Sequence, residues 1–175
     1  MGALSELLFD RLNVADFLMV SGITLLFVGL FLELTKLING RLMRNWLLIA
    51  FLFYYVVIVL CYTVFCRKMG NLTQFRPIPF YNLFDGTPIS QFVYEGLLNM
   101  VMFIPMGIGA ALIKWNKWHI MGGALILSMS IEMMQWFLKC GCCEMNDVIN
   151  NGIGCAIGLG LAQCFRYNYY SNDKY

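Results

Sequence analysis

The chain has 175 residues, 60% of them hydrophobic and 13% charged, with a mean hydropathy of +0.69. Soluble domains carry about 25% charged residues, so this composition excludes an ordinary soluble globule and points to an all-α integral membrane bundle. A net charge of +2 and a pI near 8.1 give no reason to expect nucleic acid as a partner.

Residues 1–16 carry Glu6, Asp10 and Asp16 and lack a positive leader and a small-residue cleavage site, so they read as an interfacial segment rather than a signal peptide. Leu4, Leu7, Leu8 and Leu12 keep helical spacing there, which a short interfacial helix or a frayed terminus would equally accommodate. About five transmembrane helices follow, since each span takes about 20 residues. The first two, residues 17–34 and 46–65, make an N-terminal pair within residues 17–66. Three more, at residues 95–113, 118–138 and 147–165, belong with the preceding loop to a second block, residues 67–165. A polar tail, residues 166–175, closes the chain.

The connection between spans two and three is too long for a turn. It holds Arg76-Pro-Ile-Pro79-Phe80, and residues ahead of proline are driven out of the helical region. Its apolar content, including Ile78, Tyr81, Leu83 and Phe84, fits a partly re-entrant loop, with an ordinary outer loop as the alternative. Lysines and arginines in the connections number seven on one side and five on the other. The side with seven is the inner one, giving an outside N-terminus and a cytoplasmic C-terminus in a multi-pass cell-membrane protein.

Periodicity then finds polar stripes. At about 100° per residue, Ser128, Glu132 and Gln135 share one face of the fourth span. Asp147, Asn151, Gly154 and Gly158 share one on the fifth, and Glu95 and Asn99 lie a turn apart on the third. Lipid cannot satisfy such groups, so the stripes are expected to face each other. Glu132 and Gln135 fall near the end of the fourth span, and Glu95, Asn99, Asp147 and Asn151 near the starts of the third and fifth, all at the outer side beside the Arg76 loop, which makes an outward-facing polar pocket. Ionisable groups at such depth are a functional hypothesis by default.

Structural roles compete for the same residues. Glu132 can pair with Arg76 to lock the bundle, Asp147 can cap the fifth helix, and Asn151 can join two helices. Pro105 removes a backbone donor from the third span and frees the carbonyl of Val101, while Gly107, Gly154 and Gly158 permit close helix approach.

Cys140, Cys142 and Cys143 crowd one outer turn, where a disulfide would form only in an oxidising compartment. Without a nearby histidine they do not make a metal site, and no cofactor motif or Ser-His-Asp, HExxH or P-loop pattern is present. His119, beside Trp115 and Trp118, reads as part of an interfacial belt.

Four short pieces in order carry a family resemblance. They are Pro79-Phe80, then Asn99-x-x-x-Phe-Ile-Pro105-Met-Gly107, then Ser128-x-x-x-Glu132-x-x-Gln135, then Gly141-x-x-Glu-x-x-Asp147-Val-Ile-x-Asn151-x-x-Gly154. Together they resemble the VanZ-like family of small bacterial membrane proteins, named after a teicoplanin-resistance protein. The family often has Asn-Leu-x-Pro-Phe where this chain has Arg76-Pro-Ile-Pro79-Phe80, and Arg where it has Cys142. The resemblance implies a helical membrane protein acting at the cell envelope in glycopeptide resistance. Its partner would be a membrane lipid or a lipid-linked cell-wall precursor, held by its headgroup in the pocket. Two other classes stay open: an intramembrane enzyme using carboxylates on a lipid-linked substrate, and a structural or transport subunit of a larger complex. The oligomeric state is not legible in the chain.

Overall fold

The computed structural model describes residues 41–65, 74–81 and 86–172, together with Gly22 and Gly29. The chain divides into two units, Met1–Arg44 and Asn45–Tyr175, and the features below belong to the second, apart from residues 41–44 at the start of the first described helix. The first expected span, residues 17–34, and the interfacial segment lie outside the described residues.

Four helices form. α1 spans Arg41–Leu60 and ends in a π-helical turn, Cys61–Phe65. α2 spans Ile89–Leu112, α3 Lys117–Phe137 and α4 Met145–Asn172. Long runs of Leu, Ile, Phe and Met dictate helix here, because in lipid every backbone N–H must be satisfied within its own segment. Among the described residues, three helices are long and apolar enough to cross a membrane: Leu42–Phe65, Ile89–Leu112 and Lys117–Phe137. α4 is richer in Asn and Gly, and it packs against both α2 and α3.

The helix ends follow local chemistry. Pro88 stands immediately before α2, and its carbonyl accepts from the Gln91 and Phe92 N–H groups. The Asn116 side chain caps α3 by accepting from the Trp118 N–H at 2.9 Å. At the other end of α3, Lys139 takes a positive φ of 55°. The Cys140 N–H then reaches back to the Gln135 carbonyl and the Lys139 N–H to that of Trp136. That double closure is a Schellman motif with lysine in the position usually held by glycine.

Two short strands, β1 (Phe75–Arg76) and β2 (Cys143–Glu144), pair in parallel with Phe75 opposite Cys143 and Arg76 opposite Glu144. They tie the loop ahead of α2 to the turn ahead of α4. Sequence periodicity cannot register a two-residue strand, and this bridge is what positions the polar cluster.

The core has its closest contact between α2 and α4. A Cβ on Gly154 would collide with the Met100 carbonyl, one on Gly107 with the Cys155 carbonyl, and one on Gly158 with the Ile104 carbonyl. Glycine is needed at all three because the backbones themselves touch. α1 joins through Leu52, which packs over Gly109, and through Tyr55, whose hydroxyl donates to the Met102 carbonyl. That carbonyl is the neighbour of the one that Pro105 deprives of its donor. Large apolar side chains such as Phe53, Ile126 and Phe137 are exposed, Phe137 at 78%. A water-facing surface would not carry them in such number, whereas acyl chains solvate them.

Candidate functional site

Each of the three buried polar groups on α3 meets a partner from another element. Ser128, Glu132 and Gln135 share a face at i, i+4 and i+7, and all three are buried. Ser128 Oγ accepts from Asn151 Nδ2 of α4 at 2.7 Å. Gln135 Nε2 donates to the Thr63 carbonyl at 3.0 Å. Thr63 lies in the last described turn of α1, where carbonyls run out of intrahelical donors. The expected facing stripes of α3 and α4 therefore meet directly at Ser128 and Asn151. Asn151 Oδ1 is buried and has no hydrogen-bond partner among the described residues.

Glu132 reaches outward instead. Its Oε2 accepts the Glu144 backbone N–H at 3.0 Å. The Glu144 carboxylate in turn accepts from Arg76 Nη1 at 3.1 Å, with both side chains largely covered. Arg76 Nη2 also donates to Gln74 Oε1, and the Gln74 carbonyl accepts the Cys143 N–H at 3.0 Å. Glu144 thus links Glu132 to Arg76. The β1–β2 bridge fixes both ends of the link.

Asp147 is half-buried in the first turn of α4, two residues past the helix start, where the helix dipole favours its charge. The adjacent Asn146 is buried, and its Oδ1 accepts the Phe80 N–H at 2.7 Å. Phe80 holds a positive φ of 62° and sets its ring edge-on against Phe92. The Pro79-Phe80 pair therefore serves as a backbone anchor for the loop.

The Cys143 thiol senses the local field. Burial raises its pKa above the ordinary 9.0, and the negative charges of Glu132, Asp147 and Glu144 raise it further. Three carboxylates from three positions in the chain thus converge on one turn, with the Arg76 guanidinium bound to one of them. The six described cysteines, Cys140, Cys142 and Cys143 among them, are free thiols.

Beside this cluster lies an open cleft of about 570 Å³, lined by Gln74, Phe75, Arg76, Pro77, Ile78 and Tyr81. The Arg76 guanidinium sits 5.5 Å from the Tyr81 ring centroid, within cation–π range. A cation on an aromatic and apolar rim suits an anionic group that carries an apolar body.

Glu95 is placed differently from its stripe partners. It is exposed on α2 and accepts from Gln91 Nε2 of its own helix at 2.9 Å. Asn99, one turn on, is half-buried, and its side chain makes no hydrogen bond among the described residues. Glu144, Asn146, Gln74 and Thr63 were not singled out by sequence reasoning. Glu144 does occupy the middle of the Gly141-x-x-Glu-x-x-Asp147 spacing, which is the one signal that marked it.

The sequence profile described as VanZ/LLP1 matches residues 46–166, a stretch that includes every residue of the polar cluster. Searches of curated proteins and of solved structures returned no match. The profile covers well over half of the chain, and among the described residues three helices are long and apolar enough to span a bilayer. The chain is a membrane protein of the VanZ/LLP1 family.

Proposed function

We propose that this protein binds the anionic headgroup of a membrane lipid or lipid-linked cell-wall precursor in the Arg76 cleft, and thereby contributes to teicoplanin-type glycopeptide resistance. In this reading the bundle has five spans, counting residues 17–34 and α4. The loop around Arg76 is partly re-entrant, and the polar cluster opens on the outer face. The observation that carries it is the placement of Arg76. Its guanidinium lines an open cleft over Tyr81 while Glu144, itself tied to Glu132, holds it from behind.

Guanidinium geometry fits phosphate oxygens in a bidentate manner, and the apolar rim of Phe75, Pro77 and Ile78 suits the adjoining acyl or prenyl chain. Glycopeptides of the teicoplanin type carry a lipid tail and target a lipid-linked precursor, so a protein engaging that headgroup stands where the drug acts. Ser128, Gln135, Asp147 and Asn151 build the wall behind the cleft in this scheme, and Glu95 and Asn99 flank it from α2.

The test pairs a phenotype with a binding measurement. Expression in a sensitive Gram-positive host raises tolerance to teicoplanin more than to vancomycin, and native mass spectrometry of the purified protein finds a phosphate-bearing lipid that Arg76→Gln loses at equal folding. Equal tolerance to both drugs refutes the resistance role. An unchanged lipid complement in Arg76→Gln refutes the site.

A further inference from the structure

The end of the bundle remote from the polar cluster carries a second surface. α2 closes at Leu112 and α3 opens at Lys117, so the intervening turn sits where two apolar helices of 24 and 21 residues end together. At 1.5 Å per residue these helices run about 36 and 32 Å, enough to cross a hydrocarbon core of about 30 Å and leave their junction at the headgroups. Residues 114–119 read Lys-Trp-Asn-Lys-Trp-His, and all six are exposed.

The turn is built to hold that display. Lys114 takes a positive φ of 66°, which ends α2 and turns the chain, and Asn116 caps α3. Trp115 and Trp118 present large rings outward, at 52% and 72% exposure. Lys117 Nζ lies 5.2 Å from the Trp118 ring centroid. Among the described residues neither Lys114 nor Lys117 has a carboxylate partner, in contrast to Arg76 at the other end, which is ion-paired with Glu144. A repeated Lys-Trp unit, with no carboxylate partner for its ammonium groups among the described residues and with the indoles exposed, matches a layer of phosphates above acyl chains.

We propose that the turn at residues 114–119 is a docking surface for anionic phospholipid headgroups. The two lysines contact phosphates of one leaflet while Trp115 and Trp118 seat at the boundary with the acyl chains. This surface is independent of the Arg76 cleft and does not rest on the role proposed for it.

The full chain with Trp46→Phe and Trp136→Phe keeps Trp115 and Trp118 as its only tryptophans. It is reconstituted in phosphatidylcholine bilayers containing either brominated phosphatidylglycerol or brominated phosphatidylcholine, and tryptophan quenching gives the relative affinity of the two lipids. The expected ratio is about fivefold in favour of phosphatidylglycerol, the factor that one lysine near an anionic surface is worth. It falls to about one in 1 M salt, where the screening length is about 3 Å. The Lys114→Gln/Lys117→Gln double variant brings it to the same value without salt. A ratio near one in the protein with both lysines intact, or a preference that survives either high salt or the double substitution, overturns the proposal. Should the double variant not fold, the salt titration with both lysines in place decides alone.

Discussion

Gly154 and Gly160 lie on one helix, less than two turns apart, yet the same substitution at the two positions should have opposite signs. An alanine Cβ at Gly154 would overlap the Met100 carbonyl oxygen and come within 2.8 Å of the Met100 Cα. Those atoms are backbone of α2, so no side-chain rotation relieves the clash, and the helices must separate by roughly 1 Å to restore van der Waals distance. Forcing extra volume into a packed interface costs about 1–3 kcal/mol, before counting the looser packing at Gly107 and Gly158 as the helices part. At Gly160 a Cβ meets nothing within 4 Å, so alanine there brings only its helix-propensity gain of about 0.5–1 kcal/mol. The expected gap between two chemically identical substitutions is therefore about 1.5–4 kcal/mol. Unfolding in mixed micelles, followed by far-UV circular dichroism against denaturing detergent, measures it directly. Coincident transitions for Gly154→Ala and Gly160→Ala would refute backbone contact between α2 and α4.

Two further outcomes follow from the polar groups. Ser128→Ala removes the acceptor for the Asn151 amide, whose other polar atom already lacks a partner, so it should destabilise the protein by about 1–3 kcal/mol. Ser128→Ala/Asn151→Leu should recover much of that loss in the same unfolding assay; a Ser128→Ala variant as stable as the parent would show that the bond contributes nothing. Because burial and three carboxylates favour the neutral thiol, Cys143 should be alkylated with a pH midpoint above 9.0, and Glu144→Gln should move that midpoint down. Iodoacetamide rates on a variant with Cys143 as its only turn cysteine provide the check, and a midpoint at or below 9.0 would contradict the convergence of charge on this turn.

Much of this arrangement was legible from spacing alone. Helical periodicity at about 100° per residue sets Ser128, Glu132 and Gln135 on one face, and their burial follows from the cost of leaving them in lipid. The small-residue face of Gly154 and Gly158 likewise announces close approach. Periodicity does not fix the absolute rotation of a helix, however. Glu95 shares a stripe with Asn99 by arithmetic, yet it lies on an exposed part of α2 and pairs with Gln91. Nor does it reveal contacts made by backbone. The link from Glu132 to Arg76 runs through the Glu144 N–H, and the parallel pairing that aligns it is two residues long. Asn146 was hidden for the same reason, since its partner is the Phe80 N–H and not a side chain. Asp147 falls inside the first turn of α4 rather than ahead of it, because the β2 strand delivers the chain into the helix at Met145.

The glycine contact between α2 and α4 also bears on biosynthesis. Gly107 and Cys155 touch across a separation of 48 residues, with all of α3 between them. A ribosome adding about 5–20 residues per second takes roughly 2–10 s to make that stretch. For that interval the groove of α2 lacks the helix that fills it in the folded protein. A chaperone or insertase able to shelter a small-residue groove would act in that window, and slowing translation between α2 and α4 would lengthen it.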